Sequence, residues 1–169
     1  GYLAAYLRLY GHHDVQIYEP EAQSLSYQDI ESILKDYQPD VVGLTCSTPN
    51  YLRAINLAKI ARSCTQAKIV IGGVHASAIP DYILEQHYEL IDCVVIGEGE
   101  QTMLELVNAY ENQDKLDGIK GILYQDQTKT IRTPARPFLD DMDSIPFPAR
   151  DLIDQNLFTP NLHNARHRN

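Results

Sequence analysis

The residues best suited to chemistry stand in three short loops, each directly after an apolar run. Residues 46–50 read CSTPN, residues 72–77 read GGVHAS and residues 97–100 read GEGE. Two of these loops are rich in glycine, whose missing side chain lets a ligand approach the backbone closely. The first loop offers the hydroxyl groups of Ser47 and Thr48 instead. These residue types suit either tight turns or contact with a sizeable ligand.

The GGVHAS loop has two interpretations at each of its informative residues. Gly72 and Gly73 either form a tight turn or open the backbone to a flat or bulky ligand. His75 either hydrogen-bonds a neighbouring backbone, as a lone histidine among small residues commonly does, or contacts the ligand. The residues alone leave both pairs of alternatives open.

Several familiar site patterns are absent from the sequence. Neither G-x-G-x-x-G nor the Walker A pattern is present, and Glu98 and Glu100 would repel a phosphate in the GEGE loop. The cysteines have no C-x-x-C spacing, so we expect no self-sufficient metal site. Ser47 has no evident partner base and no G-x-S-x-G elbow. The sequence therefore argues against a nucleotide P-loop and a serine hydrolase.

Composition bounds the class of protein. The chain has 169 residues, 44% of them hydrophobic, which fits one globular domain with a sizeable core. A net charge of −9 argues against general binding of nucleic-acid backbones, and no apolar run is long enough to span a membrane. The three cysteines are widely spaced, so we expect a reducing cytoplasm, with Cys46 and Cys93 as small buried hydrophobes.

The elements that position these loops alternate between strand and helix. Alternation of apolar and polar residues predicts a strand at residues 15–18, and near-continuous apolar runs predict strands at residues 41–46, 68–73 and 93–100. Amphipathic spacing predicts helices ending at Gly11, following a Ser26–Asp29 capping box, following Thr48 as N-cap, near residues 80–88 and around residues 103–110. Apolar strands alternating with such helices predict an α/β fold with a doubly wound parallel sheet. The three loops then share the carboxyl edge of that sheet, where ligands bind in such folds.

The pattern changes after residue 117. Residues 121–125 and 129–133 predict a β-hairpin, and the proline-rich residues 134–151 predict an extended arm that continues into a frayed end. We therefore expect three parts: an α/β domain over residues 1–117, a hairpin extension over 118–133 and a linker over 134–169.

An ordered set of segments resembles a known family. The segments are GYLAAYLRLYGHHDVQIYEP, PDVVGLTCSTPNYLRAINLAKIAR, KIVIGGVHASAIPDYIL, DCVVIGEGEQTMLEL, GIKGILY and IRTPARPFLDDMDSIPFPARDL. Together they resemble the N-terminal cobalamin-binding domain of class B radical SAM enzymes. In particular they are similar to the anaerobic magnesium-protoporphyrin monomethyl ester oxidative cyclases and related Fe–S oxidoreductases. The resemblance extends to about residue 152.

This resemblance implies a flavodoxin-like, Rossmann-like fold that binds cobalamin. It also implies that the family's first central strand is absent from this sequence, so we expect strand rearrangement or self-association to compensate. The C-x-x-x-C-x-x-C motif for a [4Fe–4S] cluster is not present. The resemblance therefore places S-adenosylmethionine, the cluster and catalysis on a separate radical SAM barrel, to which this domain would present cobalamin.

The resemblance also suggests positions for the cofactor. Residues on two loops would lie where its nucleotide tail threads, and residues on the third would wall the far side. His75 would lie near the corrin edge or the tail as a contact and not as a ligand, because the D-x-H-x-x-G motif that supplies a cobalt ligand in other cobalamin proteins is absent. The expected binding residues are Ser47, Thr48, Gly72, Gly73, His75, Gly97, Glu98 and Gly99.

Two other functions remain open. The chain could be a degenerate scaffold that packs on the barrel without binding a cofactor, an alternative that the absent D-x-H-x-x-G histidine keeps open. A flavodoxin-like or receiver-like domain is less favoured, because no acidic cluster with a phosphorylatable aspartate follows a strand.

Overall fold

The computed structural model describes residues 1–127 and 129–154, and in them one five-stranded sheet lies between two layers of helices. The strands, in their spatial order, are β1 Val41–Thr45, β2 Lys68–Gly72, β3 Cys93–Val95, β4 Ile122–Asp126 and β5 Lys129–Arg132. The helices are α1 Tyr2–Gly11, α2 Tyr27–Tyr37, α3 Tyr51–Cys64, α4 Val74–Ala78, α5 Pro80–His87 and α6 Glu100–Asn112.

The sheet is parallel in one half and antiparallel in the other. β1, β2 and β3 run parallel, with Thr45 opposite Gly72 at the carboxyl end of the first pair. β4 pairs antiparallel with both β3 and β5, so the predicted hairpin is confirmed and it continues the main sheet. Residue 128, at the predicted tip of the hairpin, lies outside the described residues.

Alternate residues of the central strands fill two separate cores. Val70, Val95 and Ile122 point to one face, where they pack with Leu7 of α1 and Leu106 of α6. The neighbouring residues of the same strands point to the other face and pack beneath α3, α4 and α5: Ile71, Val94 and Leu123. Helices therefore cover both faces, and the predicted doubly wound α/β class is confirmed.

The strand predicted at residues 15–18 is wrong. None of the described strands pairs with this segment, and a strand forms only where a neighbour takes up its backbone hydrogen bonds. Val15 and Ile17 are nevertheless half-buried, which explains the alternation seen in the sequence. β1 is the edge strand of the described sheet and pairs with β2 alone. How the fold compensates for an absent strand stays a prediction.

Local signals in the sequence decide several element ends. The capping box before α2 is confirmed: Ser26 N–H donates to Asp29 Oδ2 (2.8 Å) and Asp29 N–H donates to Ser26 Oγ (3.2 Å). Thr48 as a helix N-cap is wrong, because residues 48–50 form a short 3-10 helix and α3 begins only at Tyr51. The strand predicted over residues 93–100 ends at Val95, just before a turn.

The arm after β5 lies against the domain. Arg136 forms an ion pair with Glu105 of α6, and Tyr10 of α1 donates its hydroxyl hydrogen to the carbonyl oxygen of Ser144 (2.8 Å). Ala149 N–H donates to the carbonyl oxygen of Gly1 (3.2 Å). The part of the predicted linker over residues 155–169 lies outside the described residues. Among the helices of the described part, none is long and apolar enough to cross a membrane.

Candidate functional site

Three loops meet at the carboxyl edge of β1, β2 and β3, and direct hydrogen bonds join them. Cys46 N–H donates to the carbonyl oxygen of Gly72 (2.7 Å), and His75 N–H donates to the carbonyl oxygen of Cys46 (3.0 Å). Gly97 N–H donates to Ser77 Oγ (2.9 Å). We call residues 46–50, 72–77 and 97–99 together the loop edge. All of the predicted site residues lie on it.

Gly73 is required by the packing of the backbone itself. Its φ of +96° is a conformation that glycine adopts easily and other residues rarely adopt. A Cβ added there would stand 2.8 Å from the carbonyl oxygen of Cys46 and 3.0 Å from the Cys46 nitrogen. Gly72 differs, since its Cβ would make an ordinary 3.6 Å contact with Val95 Cβ. The tight-turn interpretation therefore applies to Gly73 and not to Gly72.

The third loop leaves space beside its glycines. Gly97 has a φ of +84°, and no atom of the described residues lies within 4 Å of the position its Cβ would take. A Cβ on Gly99 would stand 3.3 Å from Leu3 Cδ1 of α1, at the back of the loop. The open side of the loop is therefore at Gly97.

His75 is part of a side-chain network. Its Nδ1 lies 3.0 Å from Thr48 Oγ1, so a hydrogen bond joins the first two loops. The ring of Tyr51 packs on the ring of His75 at 5.0 Å between centroids, and Tyr51 Oη lies 2.9 Å from His87 Nε2. Burial raises the pKa of Tyr51, with a smaller contribution from Tyr82. The ring of His75 therefore has a partner within the chain, but that partner is the Thr48 hydroxyl and not the backbone group that the structural interpretation expected.

The loop edge presents polar groups and the exposed Val74, and the exposed Leu52 follows two residues after its first loop. The backbone N–H of Ser47 donates to Asn50 Oδ1 (2.6 Å), which fixes the turn that presents Thr48. Beside these residues, Leu52 is 75% exposed and Val74 is 77% exposed. Large apolar side chains with this exposure, next to hydroxyl groups, suit a ligand with a flat apolar part and a polar tail.

Cys46 is a buried member of the loop edge, and its thiol is not set up to react. Its side chain is buried, and burial raises the pKa of the thiol. The thiolate is the nucleophilic form of cysteine, so this change suppresses nucleophilic chemistry. Across the described residues, no group of three or more histidine, cysteine or acidic side chains is placed to hold a metal ion.

Sequence reasoning did not identify three contributors to this edge. Ser77 holds Gly97, although it lies in the GGVHAS motif and was visible there. Tyr51 packs on His75, and only its position after the first loop hinted at this. Leu139 of the arm donates its N–H to Glu98 Oε2 (3.0 Å), a contact between distant segments that no local pattern signals.

A family model described as the B12 binding domain matches residues 1–107. The chain belongs to this family. The curated relatives of this B12-binding domain include an uncharacterized methyltransferase of Pyrococcus horikoshii, 37% identical over 158 residues. That match covers 93% of this chain and 34% of the relative.

Further relatives include an anaerobic magnesium-protoporphyrin IX monomethyl ester cyclase of Cereibacter sphaeroides. It is 32% identical over 148 residues, which cover 85% of this chain and 24% of the relative. The B12-binding domain thus spans about a third or less of the length of these relatives. The predicted resemblance to the cyclases is confirmed.

Solved structures match the fold of the B12-binding domain. The cobalamin-dependent S-adenosylmethionine radical enzyme OxsB, solved with aqua-cobalamin and S-adenosylmethionine bound, superposes with a TM-score of 0.77 and 25% identity. The match covers 90% of this chain and 21% of OxsB. TsrM from Kitasatospora setae, a radical S-adenosylmethionine methyltransferase solved with cobalamin and a [4Fe–4S] cluster, gives a TM-score of 0.70 at 20% identity. That match covers 86% of this chain and 27% of TsrM and shows the shared fold alone.

The residues of the loop edge fit the cofactor that the family implies. Cobalamin combines a wide corrin ring with a polar nucleotide tail, and it needs an open, largely apolar surface beside hydrogen-bonding groups. The open apolar surface is provided by the space beside Gly97 and by the exposed side chains of Val74 and Leu52. The hydrogen-bonding groups are the hydroxyls of Thr48 and of the half-buried Ser47. Gly97 has no side chain and open space beside it, so a ligand can approach its backbone, whereas a side chain on Gly72 would face Val95.

Proposed function

We propose that this chain binds cobalamin at the loop edge and presents it to a reaction on a separate radical SAM barrel. The observation that carries the proposal is the joining of three loops at the carboxyl edge of a B12-binding sheet, with open space at Gly97. When bound, cobalamin supplies methyl-group transfer or electron transfer. The chain's own contribution is to hold and orient the cofactor. The fold of OxsB and TsrM supports this assignment.

Each loop has a distinct part in the proposal. Ser47, Thr48 and Gly72, with Gly73 shaping the turn, line the path of the nucleotide tail. Gly97, Glu98 and Gly99 form the far wall. His75 would lie beside the tail and, through its bond to Thr48 Oγ1, would set the direction of that hydroxyl group. In this arrangement no protein side chain ligates cobalt.

The proposal extends to partners and compartment. The arm lies against the domain as far as Ala149, and in this proposal the residues that follow connect to the barrel. All cysteines of the chain are free, as in a reducing cytoplasm. Among the described strands β1 and β5 each pair on one side only, so self-association through strand pairing would occur at one of these two edges.

One set of observations favours the scaffold alternative. Gly73 is explained by packing against Cys46, and His75 and Glu98 already have partners within the chain. A domain with no cofactor would show the same contacts. The two functions differ in one measurable property, the retention of cobalamin.

The test is to mix the purified protein with hydroxocobalamin and record the absorbance spectrum and co-elution on gel filtration. We expect co-elution at a one-to-one ratio and a shifted cobalamin spectrum. The variant Thr48→Val keeps the shape of the side chain but removes the hydroxyl, so we expect about fivefold weaker binding. Thr130→Val, at an exposed position of β5, is the matched control. Absence of co-elution in the wild-type protein would support the scaffold function instead.

A further inference from the structure

The loop over residues 97–99 is held from two sides. On one side, Ser77 of α4 accepts the N–H of Gly97 (2.9 Å). On the other side, Glu98 Oε2 accepts the N–H of Leu139 in the arm (3.0 Å). The loop edge is therefore connected to the segment that leaves the domain. This connection is made by the side chain of a predicted site residue.

A second attachment lies next to the first. Arg136 Nε donates to Thr102 Oγ1 (2.7 Å), and Arg136 also forms a two-point ion pair with Glu105. The Arg136 side chain is only 8% exposed. Thr102 is fully buried and donates its hydroxyl hydrogen to the carbonyl oxygen of Glu98 (3.3 Å). Arg136 thus anchors the arm firmly, and Thr102 links that anchor to the backbone of the loop.

Beyond this anchor the arm stands away from the loop. A half-open groove of about 530 Å³ lies between them, lined by Tyr2, Glu98, Glu100, Met142, Asp143, Ile145 and Phe147. Glu98 bridges this gap, since its carboxylate reaches the arm at Leu139. Glu100 lines the same groove but makes no hydrogen bond to the arm within the described part of the chain. Glu98 is therefore a direct hydrogen-bonded contact between the loop and the arm, beside the anchor at Arg136.

We infer that Glu98 is a positioning residue that couples docking of the arm to the geometry of the loop edge. The inference rests on the proposed function, because the ligand in question is cobalamin. When Leu139 is bonded to Glu98, the loop is held in the position that receives the ligand. If docking of the arm tightens the binding of the ligand by some factor, the bound ligand must tighten the docking of the arm by the same factor. Binding of the ligand to the domain then changes how tightly the arm is docked.

The side chain of Glu98 suits this role. Glu98 and Leu139 are bonded where both are accessible to solvent, so the bond forms and breaks readily. Arg136 differs, because its nearly buried ion pair keeps the arm attached when the Glu98 bond opens. The arm is also held by the Tyr10–Ser144 and Gly1–Ala149 hydrogen bonds and by the Arg8–Asp151 ion pair. Among the described residues, Glu98–Leu139 is the hydrogen bond that joins the arm to a side chain of the loop edge.

The experiment uses three variants of the whole chain. Glu98→Ala removes the acceptor, Glu98→Gln keeps an oxygen acceptor without the charge, and Glu100→Ala removes a carboxylate from the same groove. Hydrogen exchange of the Leu139 amide is measured with and without hydroxocobalamin, and hydroxocobalamin affinity and urea unfolding are measured in parallel.

For Glu98→Ala we expect faster exchange at Leu139 and about fivefold weaker binding of hydroxocobalamin, with little change in the unfolding midpoint. Glu98→Gln and Glu100→Ala are expected to stay within about twofold of wild type. In wild-type protein, hydroxocobalamin is expected to slow exchange at Leu139.

Three outcomes would count against the inference, and they show whether the proposed function fails with it. If wild-type protein does not bind hydroxocobalamin, the proposed function and the coupling both fail. If wild-type protein binds but Glu98→Ala exchanges and binds as wild type does, the coupling is overturned and the function stands. If Glu98→Gln weakens binding as much as Glu98→Ala, the charge matters and the hydrogen bond to Leu139 does not, which also overturns the inference.

Discussion

Gly73 lies so close to Cys46 that a Cβ on Gly73 would stand 2.8 Å from the Cys46 carbonyl oxygen. The contact joins the turns after β1 and β2, and two backbone hydrogen bonds reinforce it on either side of Gly73: Cys46 N–H to Gly72 O and His75 N–H to Cys46 O. The loop edge therefore takes its shape from the backbone. A substitution at Gly73 acts on the fold before it acts on any ligand.

We predict that Gly73→Ala destabilises the protein. The methyl group meets backbone atoms that cannot move aside easily, and alanine adopts a φ of +96° only with strain. We expect the free energy of unfolding in urea to fall by about 2–4 kcal/mol. Gly72→Ala is the control, because its Cβ would meet Val95 at 3.6 Å, and it is expected to cost less than about 1 kcal/mol. Equal stability of the two variants would contradict the packing argument.

The sequence predicts much of this molecule because its signals are local. Continuous apolar runs predict β1 and β2, and the spacing of Ser26 and Asp29 predicts the start of α2. Residues 15–18 show where such signals fail. Their alternation reports half-buried side chains, but a strand also needs a neighbour, and the alternation does not report one.

The candidate site, like the fold, is only partly predictable from the sequence. The three loops and their glycines are visible in the sequence, because strand order alone places them on one edge. The partners of Thr48, His75 and Glu98 are not visible, since each is a contact between residues far apart in the chain. Such contacts depend on the final packing of helices and arm, which no local propensity encodes.

The capping box before α2 gives a prediction about local stability. Ser26 Oγ accepts the N–H of Asp29, so Ser26→Ala leaves that backbone donor without its partner. We expect the free energy of unfolding to fall by about 1 kcal/mol. Ser32→Ala, at an exposed position inside the same helix, is the control and is expected to be neutral or slightly stabilising. A similar loss in both variants would show that the effect does not come from the cap.

The cysteines give a prediction about reactivity. Cys46 and Cys93 are buried, and burial raises the pKa of the Cys93 thiol to about 12. Cys64, near the end of α3, is only half-buried. We expect a thiol reagent at mild alkaline pH to modify Cys64 alone in the folded protein and all three cysteines in urea. Cys64→Ser should abolish the reaction of the folded state, and residual fast labelling would show that Cys46 or Cys93 becomes accessible.

His87 gives a prediction about pH. Burial, aided by Lys59, lowers the pKa of His87 below its ordinary value of 6.5, because the folded state favours the neutral ring beside Tyr51. The unfolded chain therefore binds a proton on His87 at a higher pH than the folded chain does. This contribution to stability is complete above pH 6.5 and is lost as the pH falls below that value.

We expect His87→Gln, which keeps a polar partner for Tyr51 Oη, to lose less stability than wild type on acidification. The measurement is urea unfolding of both proteins at a series of pH values on either side of 6.5. The difference between the two free energies of unfolding should change in favour of the variant as the pH falls. Tyr51 packs on the ring of His75, so acidification should also disturb the loop edge. We expect this disturbance at a higher pH in wild type than in His87→Gln. Parallel pH profiles for the two proteins would contradict the burial of His87 as the cause.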